Sequence, residues 1–460
     1  MNEKKRRITV KRRFVPIVLS VILTAAMFAG VAVSGWADEP PQKSKVTPMI
    51  QIPDHAKVKK YYEIPNFRIG GTYNLDADPE TWRNGGEGGT TLESLGAGPL
   101  QVAYIAVGTP KRNGKGEITN AVIISTFYSG DSAWMYNTWY EGQPLNAFSG
   151  GAVVGPGRTI DTEKYYVVFL DAIGLWGASK PSLGLGRKFP KYNYMDMVAA
   201  NYRLLRDHLK VSQIELATGC SMGATQTWVW GVMYSPGGFV RAIMPIGGTT
   251  ASDGDDPVGQ WTFRLAQAAI ESDPNWRATG GNYYHLPKEK HPNQGMQFMW
   301  STLQLTGNTF PVRSATPWKT LQKEVFYWEP KGEETAAWIA RVKSEDAVDY
   351  WYRNEAGWGY NINKELKRIK ARTLVVHVQN DQWLMVENAR KAAAATPGAL
   401  FATLSDPGAH YGVFRAPNVL KDLIKSFLED RFTANLTGLA GAGKTSGAEA
   451  APAKPSGLAK

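Results

Sequence analysis

One cysteine, Cys220, in a chain of 460 residues excludes any intramolecular disulfide. Histidine is scarce too: six residues, none grouped with cysteine or with another histidine at metal-ligand spacing, so no metal site is expected. The positive charge belongs mostly to the ends. Residues 1–37 carry +6 of the formal +11 and the segment beyond Phe432 another +2, which leaves the body near +3 and gives no case for a nucleic-acid partner. No internal repeat is evident. No cysteine stands near the apolar run 14–33, which excludes a lipoprotein anchor.

What is present begins with a targeting pattern. Lys4, Lys5, Arg6, Arg7, Lys11, Arg12 and Arg13 form a basic head, the apolar run follows, and Gly35 and Ala37 are the small residues a signal peptidase reads. The reading is a cleaved signal peptide over 1–37, with a periplasmic or secreted destination. Its rival is an uncleaved membrane anchor, because the run is long enough to span a bilayer. A polar lead covers 38–57. The segment 433–460 holds Gly, Ala, Lys, Pro and Ser with almost no large apolar residue, and is expected to be disordered. Gly438 through Gly443, Lys444 and Thr445 match the phosphate-loop pattern by letter, but no strand feeds this stretch and no helix leaves it, so nucleotide binding is not expected.

Between these ends, strand-like runs alternate with helical ones. Strands are predicted near 101–107, 121–126, 165–170, 213–218, 240–246, 373–378 and 400–404, and helices at 194–209, 224–234, 386–395 and 419–430. Short apolar strands separated by amphipathic helices argue for an α/β protein with a mostly parallel sheet covered on both faces. Alternation stops between 247 and 370, a helical, tryptophan-rich stretch (Trp261, Trp276, Trp300, Trp318, Trp328, Trp338, Trp351, Trp358) read as an inserted lid. Its rings could line an apolar acyl pocket or, for any single one, form the lid's own small core. The expected organisation is a core over 58–246, the lid over 247–370, and the core resumed over 371–432.

The chemistry centres on Gly219-Cys220-Ser221-Met222-Gly223. A strand pattern ends in this G-x-S-x-G turn and a helical pattern leaves it, the context that lifts a serine hydroxyl clear of a sheet. Small residues at 219 and 223 let strand and helix approach. Cys220 fills the variable position and reads as a small apolar filler. A serine alcohol needs a base, and the base an orienting acid. His285 and His291 fall in a charged, Pro-containing loop and His377 inside a strand. His410 sits in the loop between the last strand and last helix, which makes it the candidate base. Asp381, just past the penultimate strand, is the candidate acid. Asp253, Asp255 and Asp256 read as a solvated turn, and Asp406 as a residue that shapes the loop before His410. An oxyanion hole needs two backbone donors: Met222, directly after the serine, and Tyr128 by position, with Phe127 as the alternative.

Taken together, Thr126-Phe127-Tyr128-Ser129-Gly130-Asp131, the Gly155–162 segment, Tyr194-Met195-Asp196-Met197-Val198, Gly219 to Ala224 and the 268–276 stretch ending Asp273-Pro274-Asn275-Trp276 resemble the alpha/beta-hydrolase fold, and within it the homoserine O-acetyltransferase branch. By position the resemblance implies Ser221 as nucleophile, Asp381 as acid, His410 as base, and Tyr128 with Met222 as amide donors. No cofactor is expected. In that branch an aspartate follows the histidine and a lid arginine holds the acceptor's carboxylate; here Tyr411 and Gln267 stand at those places, with Arg264 a turn away. The expectation is therefore an exported serine hydrolase acting on a small-molecule acyl ester, with a homodimer through the lid as its association. An acyltransferase with the same triad is the alternative, and a non-catalytic binding protein of the same fold the second.

Overall fold

The computed structural model describes residues 58–142, 151–315 and 345–429. The expected signal peptide and polar lead, Trp318, Trp328, Trp338 and the segment 433–460 lie outside these residues. Among the described residues no helix is long and apolar enough to cross a membrane.

An eight-stranded sheet runs in the order β1 (Lys60–Ile64), β2 (Leu100–Val107), β6 (Tyr166–Leu170), β3 (Ala121–Ser125), β7 (Ile214–Cys220), β8 (Ala242–Ile246), β9 (Arg372–Val378), β10 (Leu400–Leu404). β4 (Val154–Gly155) and β5 (Ile160–Asp161) pair separately. From β6 to β10 every pairing is parallel, while β2 runs antiparallel to both β1 and β6. The central strands are mostly apolar because both faces are covered: all five residues of β3 and of β8 are buried. Within β3 the side chains alternate, Ile123 packing into the cluster around Trp228 and Trp230, Val122 and Ile124 into the opposite one around Trp134 and Phe427. The mostly parallel, helix-flanked sheet is the architecture the alternation predicts.

The flanking helices are α1 (Ser132–Trp139), α2 (Tyr194–Arg203), α3 (Met222–Tyr234), then α4 (Pro257–Glu271), α5 (Pro274–Thr279), α6 (Asn293–Gly307), α7 (Phe310–Ala315) and α8 (Ala347–Gly357) between β8 and β9, and α9 (Val386–Ala395), α10 (Ala416–Val419) and α11 (Lys421–Leu428). Two predicted helices are interrupted. The one at 194–209 changes to a π turn over Leu204–His208, and the last breaks at Leu420, whose φ of −103° and ψ of 22° are not helical. α1 was absent from the prediction.

Among the described residues, 247–370 contains helices and turns but no strand. Its buried side chains do not make a separate core. Phe263, Ile270, Trp276, Met299, Trp300 and Trp351 join the same cluster that holds Trp228 under the sheet. Trp261 stands 66% exposed instead. Asp256, expected in a solvated turn, is buried and caps α4, accepting from the Gly259 N–H at 3.0 Å and the Thr249 hydroxyl at 3.1 Å.

The chain crosses from β6, on one side of β3, to β7 on the other. The carboxyl ends of β3 and β7 lie side by side, Ser125 opposite Gly219. In open α/β sheets this is where the loops part and leave a crevice.

Candidate active site

Ser221 follows β7 and caps α3 with φ 56° and ψ −122°, a left-handed conformation that a non-glycine residue adopts at a cost of about 1–3 kcal/mol. The turn is held by the Ser221 N–H donating to Ile246 O at 3.0 Å. Its neighbours must be glycine. A Cβ on Gly223 would sit 2.3 Å from Ser125 O, and one on Gly219 2.7 Å from the Gly223 backbone. Strand and helix thus cross without side chains between them, and the serine hydroxyl is left at the head of the sheet. Cys220 points the other way. It is fully buried, its thiol donates to Val413 O at 3.3 Å, and burial pushes its pKa well above the usual thiol value, so it is no nucleophile.

The structure brings three of the sequence-selected side chains into one line. Ser221 Oγ lies 2.8 Å from His410 Nε2, and His410 Nδ1 lies 2.7 Å from Asp381 Oδ2. The other Asp381 oxygen accepts the N–H groups of Trp383 (2.9 Å) and Leu384 (3.0 Å). Burial raises the Asp381 carboxyl, but its interaction and hydrogen bond with His410 and the Leu384 N–H outweigh burial and hold it below its ordinary value. A carboxylate only accepts, so the imidazole proton sits on Nδ1 and the lone pair of Nε2 faces the serine hydroxyl. The His410 ring packs against Trp383 at 4.9 Å between centroids, and Ala409 before it has φ 44°. His377 stays in its strand, buried, with Nδ1 3.2 Å from Val378 O; His285 is exposed; and His291 Nε2 lies 3.2 Å from Leu286 O. Asp406 pairs with Arg415 and accepts the Gly408 N–H at 2.7 Å, shaping the loop that carries His410.

A small cavity opens beside Ser221, lined by Tyr128, Tyr194, Met222, Phe263, Trp383 and Leu384 among others, with room for about one water molecule. Neither the Met222 nor the Tyr128 backbone N–H donates to an acceptor among the described residues. Two amides with no acceptor among the described residues, on residues that line one cavity, fit what a developing oxyanion requires. Between Tyr128 and Phe127 the side chains differ: the Tyr128 hydroxyl donates to Asn354 Oδ1 at 2.9 Å on the cavity side, whereas the Phe127 ring packs away from it on Trp134 and Phe414.

The remaining selected residues are not gathered here. Gln267 is buried but does not line the cavity; its amide donates to Glu355 Oε2 at 2.7 Å and its carbonyl accepts from Arg264 Nη1 at 2.5 Å. The Arg264 guanidinium lies over the half-exposed Trp358 ring. Tyr411 turns toward α6, donating to Gln304 Oε1 at 2.8 Å, and its ring leaves no space for a Cβ on Gly307. Tyr194, Phe263, Trp383 and Leu384 complete the cavity and were not selected from sequence. Their spacing is that of ordinary helix and loop packing, and only the fold turns them to one point.

The sheet order, the strained serine turn and the helical insertion after β8 define the alpha/beta-hydrolase fold. No family model matches the chain. It is 32% identical over 241 residues to the homoserine O-acetyltransferase of Rhodospirillum rubrum, a match covering 50% of this chain and 56% of that one, so the chain spans little more than half that relative's length. It is 25% identical over 336 residues to the ethyl acetate hydrolase of Pseudomonas veronii, covering 68% and 85% of the two chains. The acetylester hydrolase structure from Corynebacterium glutamicum superposes with a TM-score of 0.61 at 20% identity, over 81% of this chain and 96% of that one. These likenesses show the alpha/beta-hydrolase fold, and within it the chain is similar in sequence both to homoserine O-acetyltransferases and to esterases.

Proposed function

We propose that this protein is a serine hydrolase that cleaves a short-chain carboxylic ester through an acyl-enzyme, and that it acts after export. The observation that carries the reading is the line from Ser221 Oγ to His410 Nε2 (2.8 Å) and from His410 Nδ1 to Asp381 (2.7 Å), at a cavity walled by two free amides. In the proposed reaction Ser221 Oγ attacks the acyl carbon while His410 Nε2 takes its proton. The negative charge on the former carbonyl oxygen is met by the Met222 and Tyr128 N–H groups. His410 returns the proton to the leaving alkoxide. Water, deprotonated by the same nitrogen, then releases the acid and restores Ser221.

The narrow, mostly apolar lining beside Ser221 and the likeness to an ethyl acetate hydrolase favour a small acyl group such as acetyl. Three features favour water over an amino-acid acceptor. Tyr411 stands where the related transferases carry an aspartate, its hydroxyl is engaged by Gln304, and Gln267 and Arg264 are engaged away from the cavity. Export rests on the basic head, apolar run and small-residue pair of residues 1–37. The second reading, acyl transfer on the same triad, is favoured by the acetyltransferase relative at 32% identity.

Purified protein is expected to hydrolyse p-nitrophenyl acetate and to be labelled by a fluorophosphonate probe, and Ser221→Ala to lose both. Labelling retained in Ser221→Ala refutes the assignment and absence of labelling in the wild type refutes the enzyme. Rapid acetyl transfer from acetyl-CoA to homoserine with negligible hydrolysis makes it a transferase instead.

A further inference from the structure

Among the described residues one lysine and one arginine are buried, and the structure treats them differently. Lys59 meets two carboxylates, Asp131 and Asp171, each at 2.9 Å. Arg353, on α8 and 1% exposed, meets none among the described residues. Its Nη2 donates to Ile173 O at 2.9 Å, its Nη1 lies 2.9 Å from the Met222 thioether sulfur, and its Nε has no partner. A thioether is a weak acceptor, so among the described residues Ile173 O is the one carbonyl that the guanidinium reaches; Tyr192 also stands beside it, its ring centroid 5.8 Å from the guanidinium carbon, but a neutral phenol does not neutralise the charge. The acids nearest along α8 are committed elsewhere: Asp349 to Lys180 and Ser182, Glu355 to Lys191 and Gln267. An uncompensated buried cation is costly, and its place in the fold gives the reason it is kept.

Arg353 stands behind the candidate oxyanion site. Met222, which it touches, supplies one of the two free amides and follows Ser221 directly. Ile173 follows β6, next to the strand whose loop carries Tyr128. Burial raises the Tyr128 and Tyr194 hydroxyls on the cavity wall, and the Arg353 charge pulls against burial in both, so its field reaches the cavity.

We infer that Arg353 is a positioning residue for the oxyanion site: it fixes Met222 and keeps an unneutralised positive charge behind its amide, matched by the negative charge that appears when the ester carbonyl becomes tetrahedral. The inference rests on the ester-hydrolase reading and deepens it. In the resting enzyme the charge has no counterpart; in the tetrahedral intermediate it has one, and that difference lowers the barrier.

The test compares Arg353→Met, Arg353→Gln and Arg353→Lys with the wild type. Gln keeps an N–H for Ile173 and loses the charge, and serves where Met is not accommodated. Each is assayed on p-nitrophenyl acetate, with fluorophosphonate titration counting folded active sites. The neutral variants are expected to lose on the order of ten- to a hundredfold in kcat with KM within about twofold, less than the loss of a direct oxyanion donor. Lys is expected to recover most of the loss. Affinity for a methylboronic acid, which forms an anionic tetrahedral adduct with the serine, should fall by the same factor as kcat/KM. Equal losses in Lys and the neutral variants, a change confined to KM, or undiminished boronate affinity overturns the inference. Failure of the wild type to hydrolyse or label refutes the hydrolase reading itself, before Arg353 is in question.

Discussion

Replacing Asp381 by Asn tests the site with one atom changed. The Asp381 side chain has no freedom to hide the change. One oxygen is fixed by the Trp383 and Leu384 N–H groups at 2.9 and 3.0 Å, so the asparagine carbonyl must take that place and its NH2 must face His410 Nδ1. The NH2 group only donates, so Nδ1 becomes the acceptor and the imidazole proton moves to Nε2. Nε2 then points an N–H at Ser221 Oγ and has no lone pair for the serine proton. A wrong tautomer of this kind costs about 10⁴ in kcat where such a triad has been altered, or about 5.5 kcal/mol of barrier. Asp381 does not line the cavity, so KM should stay within a few-fold. Stability changes in a defined direction as well. The folded-state carboxyl is held below its ordinary value, so its contribution is full above the unfolded value near 3.9 and lost as pH falls through the folded one. Asp381→Asn removes that acid-range dependence. Steady-state hydrolysis of p-nitrophenyl acetate, normalised to titrated sites, together with urea unfolding between pH 3 and 7, reads both effects. Activity within tenfold of wild type, or a loss carried by KM alone, refutes the role assigned to Asp381.

Two further outcomes are expected. Ser221→Gly and Ser221→Ala both lack the hydroxyl, but only glycine relieves the φ of 56°; after about 0.5–1 kcal/mol for glycine's extra freedom when unfolded, Ser221→Gly should be about 0.5–2 kcal/mol the more stable in urea, and the reverse order contradicts the strain argument. Native protein treated with iodoacetamide at pH 8 should keep its mass and its esterase activity, because burial holds the Cys220 thiol protonated and out of reach; carbamidomethylation with loss of activity would contradict that.

Much of the architecture could be read from local pattern. β8 is apolar at every position and β3 at all but its last, Ser125, and α9 was predicted over the residues it occupies, because its apolar residues recur on one face. The serine turn was legible because two glycines and a serine must fall at fixed spacing for strand and helix to cross. What escaped lacks local signal. β1 reads Lys60-Tyr61-Tyr62-Glu63-Ile64, mostly exposed, and becomes a strand only by pairing with residues 100–104. α1 is buried on all sides, so it shows no amphipathic period. Arg353 sits on α8 where a charge would ordinarily face water, and no spacing rule marks it as buried. Gln267 and Arg264 were selected by alignment to a function, and the helix they share turns them to Glu355 and Trp358.

That last displacement bears on what decides the fate of an acyl-enzyme. The serine, base and acid are the same in a hydrolase and a transferase; the outcome depends on whether water or an acceptor reaches the acyl carbon first. An amino-acid acceptor needs fixed charges to hold its ammonium and carboxylate groups. At the positions where the related transferases carry them, this chain has an uncharged tyrosine bound to α6 and a glutamine bound to α8. Both side chains now fasten the helical insertion to itself and to the loop that carries His410. Among the described residues neither position offers a charged anchor to an acceptor, which supports the proposed hydrolysis, and the charge stabilisation inferred for Arg353 would serve whichever nucleophile arrives.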